Sequence, residues 1–153
     1  MSGTRFVYVT YIRATPELVF DALTKPEFTT RYWAGTTQRS EWAKGAAHGV
    51  YTPDGRLWDS GEVVEIDRPR KLVMRWLNEG FAEMKAEGPT VITYELEPQG
   101  SVTKLTLTQT SPVAGSKVIG AMSQGWPAVL AGLKSLLETG EPIAEFAKWP
   151  EGL

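Results

Sequence analysis

The stretch Ser116–Glu138, SKVIGAMSQGWPAVLAGLKSLLE, decides the fold of this chain. Its bulky apolar residues recur every three or four positions, at Ile119, Met122, Trp126, Val129, Leu130, Leu133, Leu136 and Leu137. This spacing predicts one long helix with a single apolar face. A helix of this kind that follows a series of short strands can pack on their sheet and enclose a cavity with it.

A proline interrupts the middle of this predicted helix. Pro127 has no backbone N–H, so it cannot donate the hydrogen bond that a continuous helix would send to the carbonyl of Ser123. The residue before a proline also avoids helical backbone angles. The sequence Gly125-Trp126-Pro127 therefore predicts a kink, or a short helix that abuts a longer one. Gly140 is the predicted cap at the helix C-terminus.

Segments rich in β-branched and aromatic residues precede the helix and predict strands. They are Phe6–Arg13, Ala47–Thr52, Leu57–Ile66, Lys71–Leu77, Val91–Glu97 and Val102–Thr110, with Arg39–Ala43 as a candidate strand. Two helices follow the first strand: one begins at Pro16 behind the cap residue Thr15, and one runs from Pro26 to Tyr32. Asn78–Pro89 is a predicted loop. The resulting order is β-αα-β-β-β-β-β-α, which is an α+β fold.

Composition limits the classes of function. The formal net charge is −2, without the basic excess that a nucleic-acid partner favours. The chain has no cysteine, which excludes disulfides and thiolate chemistry. The first residues lack the apolar run of a signal peptide, and no stretch reaches the roughly 18 apolar residues of a membrane span. We therefore expect a cytoplasmic protein without a membrane partner.

With 153 residues, the chain is expected to form a single domain, with a core at 6–140 and a tail at 141–153. The tail carries Phe146 and Trp149. These two aromatic side chains are expected to fold back on the surface or to meet a partner chain, so a homodimer would also cover them.

Several motifs occur in a defined order along the chain. They are Ala14–Phe20, Ala22–Glu27, Trp33, Pro53-Asp54-Gly55, Asp59–Asp67, Pro69–Val73, Arg75-Trp76 and Gly125-Trp126-Pro127. As an ordered set, they resemble the family named after the activator of heat-shock protein 90 ATPase homologue, within the START/Bet v 1-like (SRPBCC) superfamily. The resemblance covers about Phe6 to Gly140. It implies a helix-grip fold, in which a curved antiparallel sheet wraps around a long C-terminal helix and leaves an internal cavity.

The resemblance also implies a range of functions. The superfamily at large implies binding of lipids, hormones, polyketides or other apolar small molecules, with enzymes as a minority. The co-chaperone that names the family resembles a two-domain protein, whose additional N-terminal domain is important for stimulating the chaperone. We expect this chain to lack that domain, which makes a chaperone partner less favoured than a small apolar molecule.

Aromatic and flexible side chains are the candidates for the cavity wall, because apolar pockets with a few polar groups are the usual ligand sites. Each of them also fits a purely structural role in the core. Tyr94 and Gln109 are the candidates for orienting a ligand by hydrogen bonding. The predicted ligand-binding residues are Trp33, Trp58, Trp76, Phe81, Tyr94, Gln109, Met122, Trp126 and Leu130.

No motif in the sequence predicts a catalytic residue, a metal site or a cofactor. His48 is the only histidine, so a zinc set is incomplete, and we expect an ordinary strand or surface histidine. Asp59 and Glu65 share strand parity while Glu62 points the other way, and these carboxylates are expected to be solvated. No Gly-x-Ser-x-Gly elbow or glycine-rich phosphate loop occurs.

Two alternatives to simple ligand binding stay open at this point. An enzyme that uses the cavity for cyclisation, hydrolysis or proton transfer predicts a strongly perturbed carboxylate or His48 pointing inward. A protein-interaction module, including a regulator of a chaperone ATPase, predicts a collapsed cavity and a large exposed apolar patch.

Overall fold

The long C-terminal helix lies against a seven-stranded antiparallel sheet in the computed structural model, which describes residues 3–153. The strand order across the sheet is β1-β7-β6-β5-β4-β3-β2. The strands are β1 Thr4–Ile12, β2 Thr37–Ser40, β3 Ala47–Tyr51, β4 Leu57–Asp67, β5 Lys71–Asn78, β6 Thr90–Gln99 and β7 Val102–Ser111. The helices are α1 Pro16–Thr24, α2 Pro26–Tyr32, α3 Ala82–Glu87 and α4 Lys117–Thr139, followed by a 3-10 turn at Ala144–Phe146.

The core lies between one face of the sheet and α4. Strands β6 and β7 alternate between buried and more exposed residues, as the two-residue period of a strand requires. On α4, Trp126, Leu130, Leu133 and Leu136 are buried, which is the face that the helical spacing predicted. The α+β helix-grip fold is therefore confirmed.

Local capping signals set the helix ends as the sequence predicted. The side chain of Thr15 accepts a hydrogen bond from the backbone N–H of Leu18 at 3.2 Å and so caps α1. Gly140 adopts a left-handed conformation (φ 84°) at the end of α4. That conformation suits glycine because it has no Cβ.

Helix α4 is a single helix with Pro127 inside it, so the alternative of two abutting helices is wrong. A proline in a helix interior costs about 3 kcal/mol, because one hydrogen bond is lost and the ring crowds the preceding turn. Burial of Trp126 and Leu130 on either side offsets this cost, at about 2 kcal/mol for each side chain.

Two further expectations need correction. The candidate strand at Arg39–Ala43 lies instead at Thr37–Ser40, and the chain turns at Trp42, which has a φ of 50°. The expected loop at Asn78–Pro89 contains α3, whose sequence AEMKAE consists of good helix formers. The predicted order β-αα-β-β-β-β-β-α therefore has one strand fewer than the observed order and lacks the short helix α3.

Among residues 3–153, none of the helices combines the length and the apolar character that crossing a bilayer requires.

Candidate functional site

A cavity of about 340 Å³ lies between the sheet, α3 and α4. Its wall is mostly aromatic and apolar. Six of the predicted ligand-binding residues line it: Trp33, Trp58, Trp76, Phe81, Met122 and Trp126. Two other depressions, each of about 360 Å³, lie beside Arg70 and Arg68 and include charged side chains in their walls. The first cavity is therefore the one that suits an apolar guest.

The aromatic rings of the wall pack on one another. Trp33 stacks on Trp76 with 6.2 Å between ring centroids and meets Trp126 edge-on at 5.4 Å. Trp58 meets Phe81 edge-on at 5.3 Å. Offset-stacked and edge-to-face contacts are the favourable geometries for aromatic pairs. These contacts hold the wall in place without a ligand.

A hydrogen-bonded chain from the sheet orients Trp126. Its indole Nε1 donates to Oε1 of Gln109 at 2.8 Å, and Nε2 of Gln109 donates to the hydroxyl of Thr90 at 3.0 Å. Gln109 and Thr90 are buried on the neighbouring strands β7 and β6. Gln109 therefore lies behind Trp126 and does not line the cavity.

Tyr94 and Leu130 also lie outside the cavity wall. Tyr94 is fully buried, and its ring meets that of Trp126 edge-on at 6.1 Å. Leu130 is buried in the core. Tyr94, Gln109 and Leu130 therefore do not line the cavity, and the expected direct contacts of these three residues with a ligand are not supported.

The cavity has one polar end, which the sequence analysis missed. Asp59 on β4 and Asn78 on β5 line the cavity and are 7% and 6% exposed. Nδ2 of Asn78 donates to Oδ1 of Asp59 at 3.1 Å, while Oδ1 of Asn78 has no hydrogen-bond partner. A carboxyl group at this position can exchange a proton or pair with a charged ligand.

Burial raises the pKa of Asp59 to about 7. The negative charge of Glu79 raises the pKa further, whereas the nearby indole N–H of Trp76 lowers it in part. This N–H has no partner in residues 3–153 at full hydrogen-bond geometry. The carboxyl group therefore changes charge near neutral pH.

The expectation that Asp59 is solvated is wrong because β4 is irregular. A bulge between Val63 and Glu65 shifts the register with β5, so residues before and after it no longer share parity. Asp59 and Val63 face the interior, whereas the side chain of Glu65 is 52% exposed. The apolar Val63, four residues after Asp59, was the signal in the sequence that could have placed Asp59 inside.

His48 lies on strand β3, one of the two expected positions, and it is buried rather than on the surface. Its Nε2 lies 2.8 Å from Oε1 of Gln38, and Nε2 of Gln38 donates to the carbonyl of Leu23 at 2.6 Å. Burial lowers the pKa of His48 to about 4, so the ring is neutral at pH 7. Its polar neighbour is an amide rather than a carboxylate or a tyrosine, and this arrangement fits a structural role better than that of a general base.

The tail folds back and completes the cavity wall with Trp149, Pro150 and Leu153. The ring of Trp149 meets that of Trp58 edge-on at 4.7 Å. Arg56 donates to the carbonyl of Leu153 at 2.8 Å, which ties the tail to the turn before β4. The structure shows the return to the chain's own surface for Trp149, whereas Phe146 stays 39% exposed. Cover for Trp149 therefore gives no reason for a homodimer.

Among residues 3–153, no three histidine, aspartate or glutamate side chains lie together as a set that could hold a metal ion.

Solved structures share this fold. CalU16 from Micromonospora echinospora is 19% identical, with a TM-score of 0.72 over 94% of this chain and 80% of its own. An HSP90 activator from Plasmodium falciparum is 24% identical, with a TM-score of 0.71 over 88% and 96%. The Aha1 dimer from Colwellia psychrerythraea is 19% identical, with a TM-score of 0.69 over 90% and 98%. At these identities the likeness establishes the fold alone.

Sequence comparison gives the family. No sequence among the curated proteins matches the chain. The family profile described as Activator of Hsp90 ATPase homolog 1-like protein matches residues 13–138. This range begins just after β1 and reaches the last turn of α4, so it contains most of the elements that build the cavity. The chain therefore belongs to the Activator of Hsp90 ATPase homolog 1-like family of the SRPBCC superfamily.

Proposed function

We propose that the protein acts in the cytoplasm by binding a small apolar or amphipathic molecule in the cavity between the sheet and α4. The aromatic-lined cavity of about 340 Å³ is the observation that carries this proposal. Small-molecule sites typically measure about 300–1,000 Å³. Binding would be driven mainly by the removal of apolar surface from water, at about 25 cal/mol per Å².

The polar end of the cavity would orient the guest. Asp59 and Asn78 are the side chains placed for this role, because they line the cavity whereas Tyr94 and Gln109 do not. A few polar groups in an otherwise apolar pocket supply direction and specificity.

Filling the cavity tests the proposal. Ala121 on α4 lines the cavity, so Ala121→Trp should occupy it and weaken binding of the neutral fluorescent probe N-phenyl-1-naphthylamine by about tenfold or more. Ala114 is an exposed residue outside the cavity wall, and Ala114→Trp is the matched control. Equal affinity of the wild type and both variants would contradict binding in this cavity, and mass spectrometry of the purified protein would identify a natural guest.

A second candidate function, acid–base catalysis, is favoured by Asp59. A carboxyl group with a pKa of about 7 in an apolar cavity can both accept and donate a proton at neutral pH. The test is deuterium exchange at the carbon next to the carbonyl of phenylacetone, compared between the wild type and Asp59→Asn. Exchange at the same rate in both proteins, or none above the buffer rate, argues against this function.

Protein interaction is favoured by the outward face of β1. Val7, Val9 and Tyr11 form a row on this edge strand and are 43–46% exposed. Such a row suits contact with another protein, and one structure of the same fold is an HSP90 activator. Chaperone ATPase rates with the wild type and with Val9→Thr test this reading, and an unchanged rate with the wild type removes it.

A further inference from the structure

The chemistry of the cavity is uneven. Among the side chains of residues 3–153 that line it, Asp59 is the only one with an acidic or basic group. The otherwise apolar and aromatic wall also includes Asn78, which bonds Asp59, and Thr36, whose hydroxyl donates to the carbonyl of Trp33. Asp59 forms no ion pair with a lysine or arginine within this range. A buried carboxylate without a positively charged partner is costly. A cationic guest would therefore stabilise the ionised form of Asp59.

The hydrogen bonds of Asn78 leave an acceptor free at the same place. Its Nδ2 donates to Oδ1 of Asp59 at 3.1 Å and lies 3.7 Å from Sδ of Met122. Its Oδ1 is buried and unpartnered. The polar end therefore offers two acceptors, a carboxylate and an amide oxygen. The indole N–H of Trp76 lies near the carboxylate, whereas no donor in residues 3–153 satisfies the amide oxygen.

The aromatic wall around this end also favours a positively charged guest. Indole rings carry negative potential on their faces and attract ammonium groups more strongly than other aromatic side chains do. Trp58, Trp76 and Trp149 share the wall with Asp59. Trp58 and Trp149 stand at an interplanar angle of 89°, so the rings present different orientations to the cavity.

We propose that the cavity selects apolar molecules that carry a protonated or quaternary amine, with Asp59 as the counter-ion. This inference rests on the proposed function, because it names the chemical class of the guest. An N–H donor of a protonated amine would also satisfy Oδ1 of Asn78. An anionic guest such as a fatty acid would instead meet Asp59 in a cavity that no lysine or arginine of residues 3–153 lines.

Affinity for a cationic guest should rise with pH between 5.5 and 8, because Asp59 must ionise to pair with it. Two neighbouring groups, Glu79 and His48, do not change charge in this range. The pKa of Glu79 is lowered by hydrogen bonds from Ser60 and Lys85, and the pKa of His48 is lowered to about 4. The residues of α4 that line the cavity do not ionise.

Two probes of the same shape separate charge from apolar character. Benzyltrimethylammonium carries a permanent positive charge, and neopentylbenzene replaces its nitrogen with carbon. Titration followed by tryptophan fluorescence should show that the wild type prefers the charged probe by about tenfold or more at pH 8, with a smaller preference at pH 5.5. Asp59→Asn should abolish this preference while it retains affinity for neopentylbenzene.

The control variant is Asp67→Asn, which removes the same charge from the exposed end of β4. It should behave as the wild type does. Equal affinity of the wild type for both probes would overturn the amine inference and leave the proposed function standing. Failure of both probes to bind would overturn both, and a preference for the charged probe that persists in Asp59→Asn would show that Asp59 is not the counter-ion.

Discussion

The carboxyl group of Asp59 is the one ionisable side-chain group among the residues of 3–153 that line the cavity. The surrounding apolar side chains withhold water, and this raises its pKa to about 7. The same residue on a regular, outward-facing position of β4 would be an ordinary solvated acid. Its position therefore matters more than its type.

The raised pKa makes a prediction about stability. The unfolded pKa of aspartate is about 4, so the folded chain holds the proton more tightly, and the stabilising effect is complete below pH 4 and lost as the pH rises through about 7. Three pKa units correspond to about 4 kcal/mol. We expect the unfolding free energy of Asp59→Asn to exceed that of the wild type by up to about 4 kcal/mol at pH 8, and not at pH 4.

Urea unfolding at the two pH values measures this difference, with Asp67→Asn as the exposed control. A stability difference between Asp59→Asn and the wild type that is the same at both pH values would show that Asp59 does not titrate with a raised pKa in the folded state.

Among the elements, α4 shows a conflict between backbone preference and packing. Pro127 disfavours a continuous helix, yet Trp126 and Leu130 must both face the core, and a continuous helix places them there. The helix therefore persists at a local cost.

Replacing Pro127 should relieve that cost. Pro127→Ala restores a backbone donor for the carbonyl of Ser123, and we expect the unfolding free energy to rise by about 1–3 kcal/mol. Pro16→Ala is the control, since proline at the first helical position of α1 costs little, and we expect little change there. Thermal unfolding of the three proteins measures both effects, and a lower melting temperature for Pro127→Ala would mean that the proline is required by the local helix shape.

Sequence patterns predicted the regular elements well. The helix at Pro26–Tyr32 has the predicted bounds, and β6 and β7 differ from prediction by a few residues, because their periodicity directly reports which side faces the core. The bulge at Val63–Glu65 could not be predicted, since it depends on pairing with β5 rather than on local sequence. This irregularity is why the inward position of Asp59 was missed. Asn78 was missed because the sequence placed it in a loop, whereas it is the last residue of β5.

The wall residues were predicted in part for a similar reason. Spacing on α4 shows that Met122, Trp126 and Leu130 share a face, but it does not show where along that face the cavity ends. Met122 and Trp126 line the cavity, and Leu130, one turn after Trp126, does not. The end of the cavity is set by the distance between the sheet and α4 at each turn of the helix. This distance is a property of the assembled fold and cannot be deduced from the spacing of residues on α4.

For the whole molecule, the tail decides how the cavity meets solvent. Trp149 closes part of the wall by packing against Trp58. We expect Trp149→Ala to speed both the association and the dissociation of N-phenyl-1-naphthylamine, because a guest would then pass a smaller barrier. Phe146→Ala is the control, since Phe146 is 39% exposed and does not line the cavity. Stopped-flow fluorescence measures both rates, and unchanged rates in Trp149→Ala would exclude the tail from guest exchange.

The pairing of β1 with β7 constrains how the chain acquires its structure on the ribosome. Thr4 pairs with Ser111, so the first strand to be synthesised gains its neighbour only after more than a hundred residues have followed. Contacts between such distant segments form slowly, because a long loop must close first. The backbone N–H and C=O groups of β1 that face β7 therefore stay without their strand partners until β7 has been synthesised, and such unpaired strand edges favour aggregation of the nascent chain.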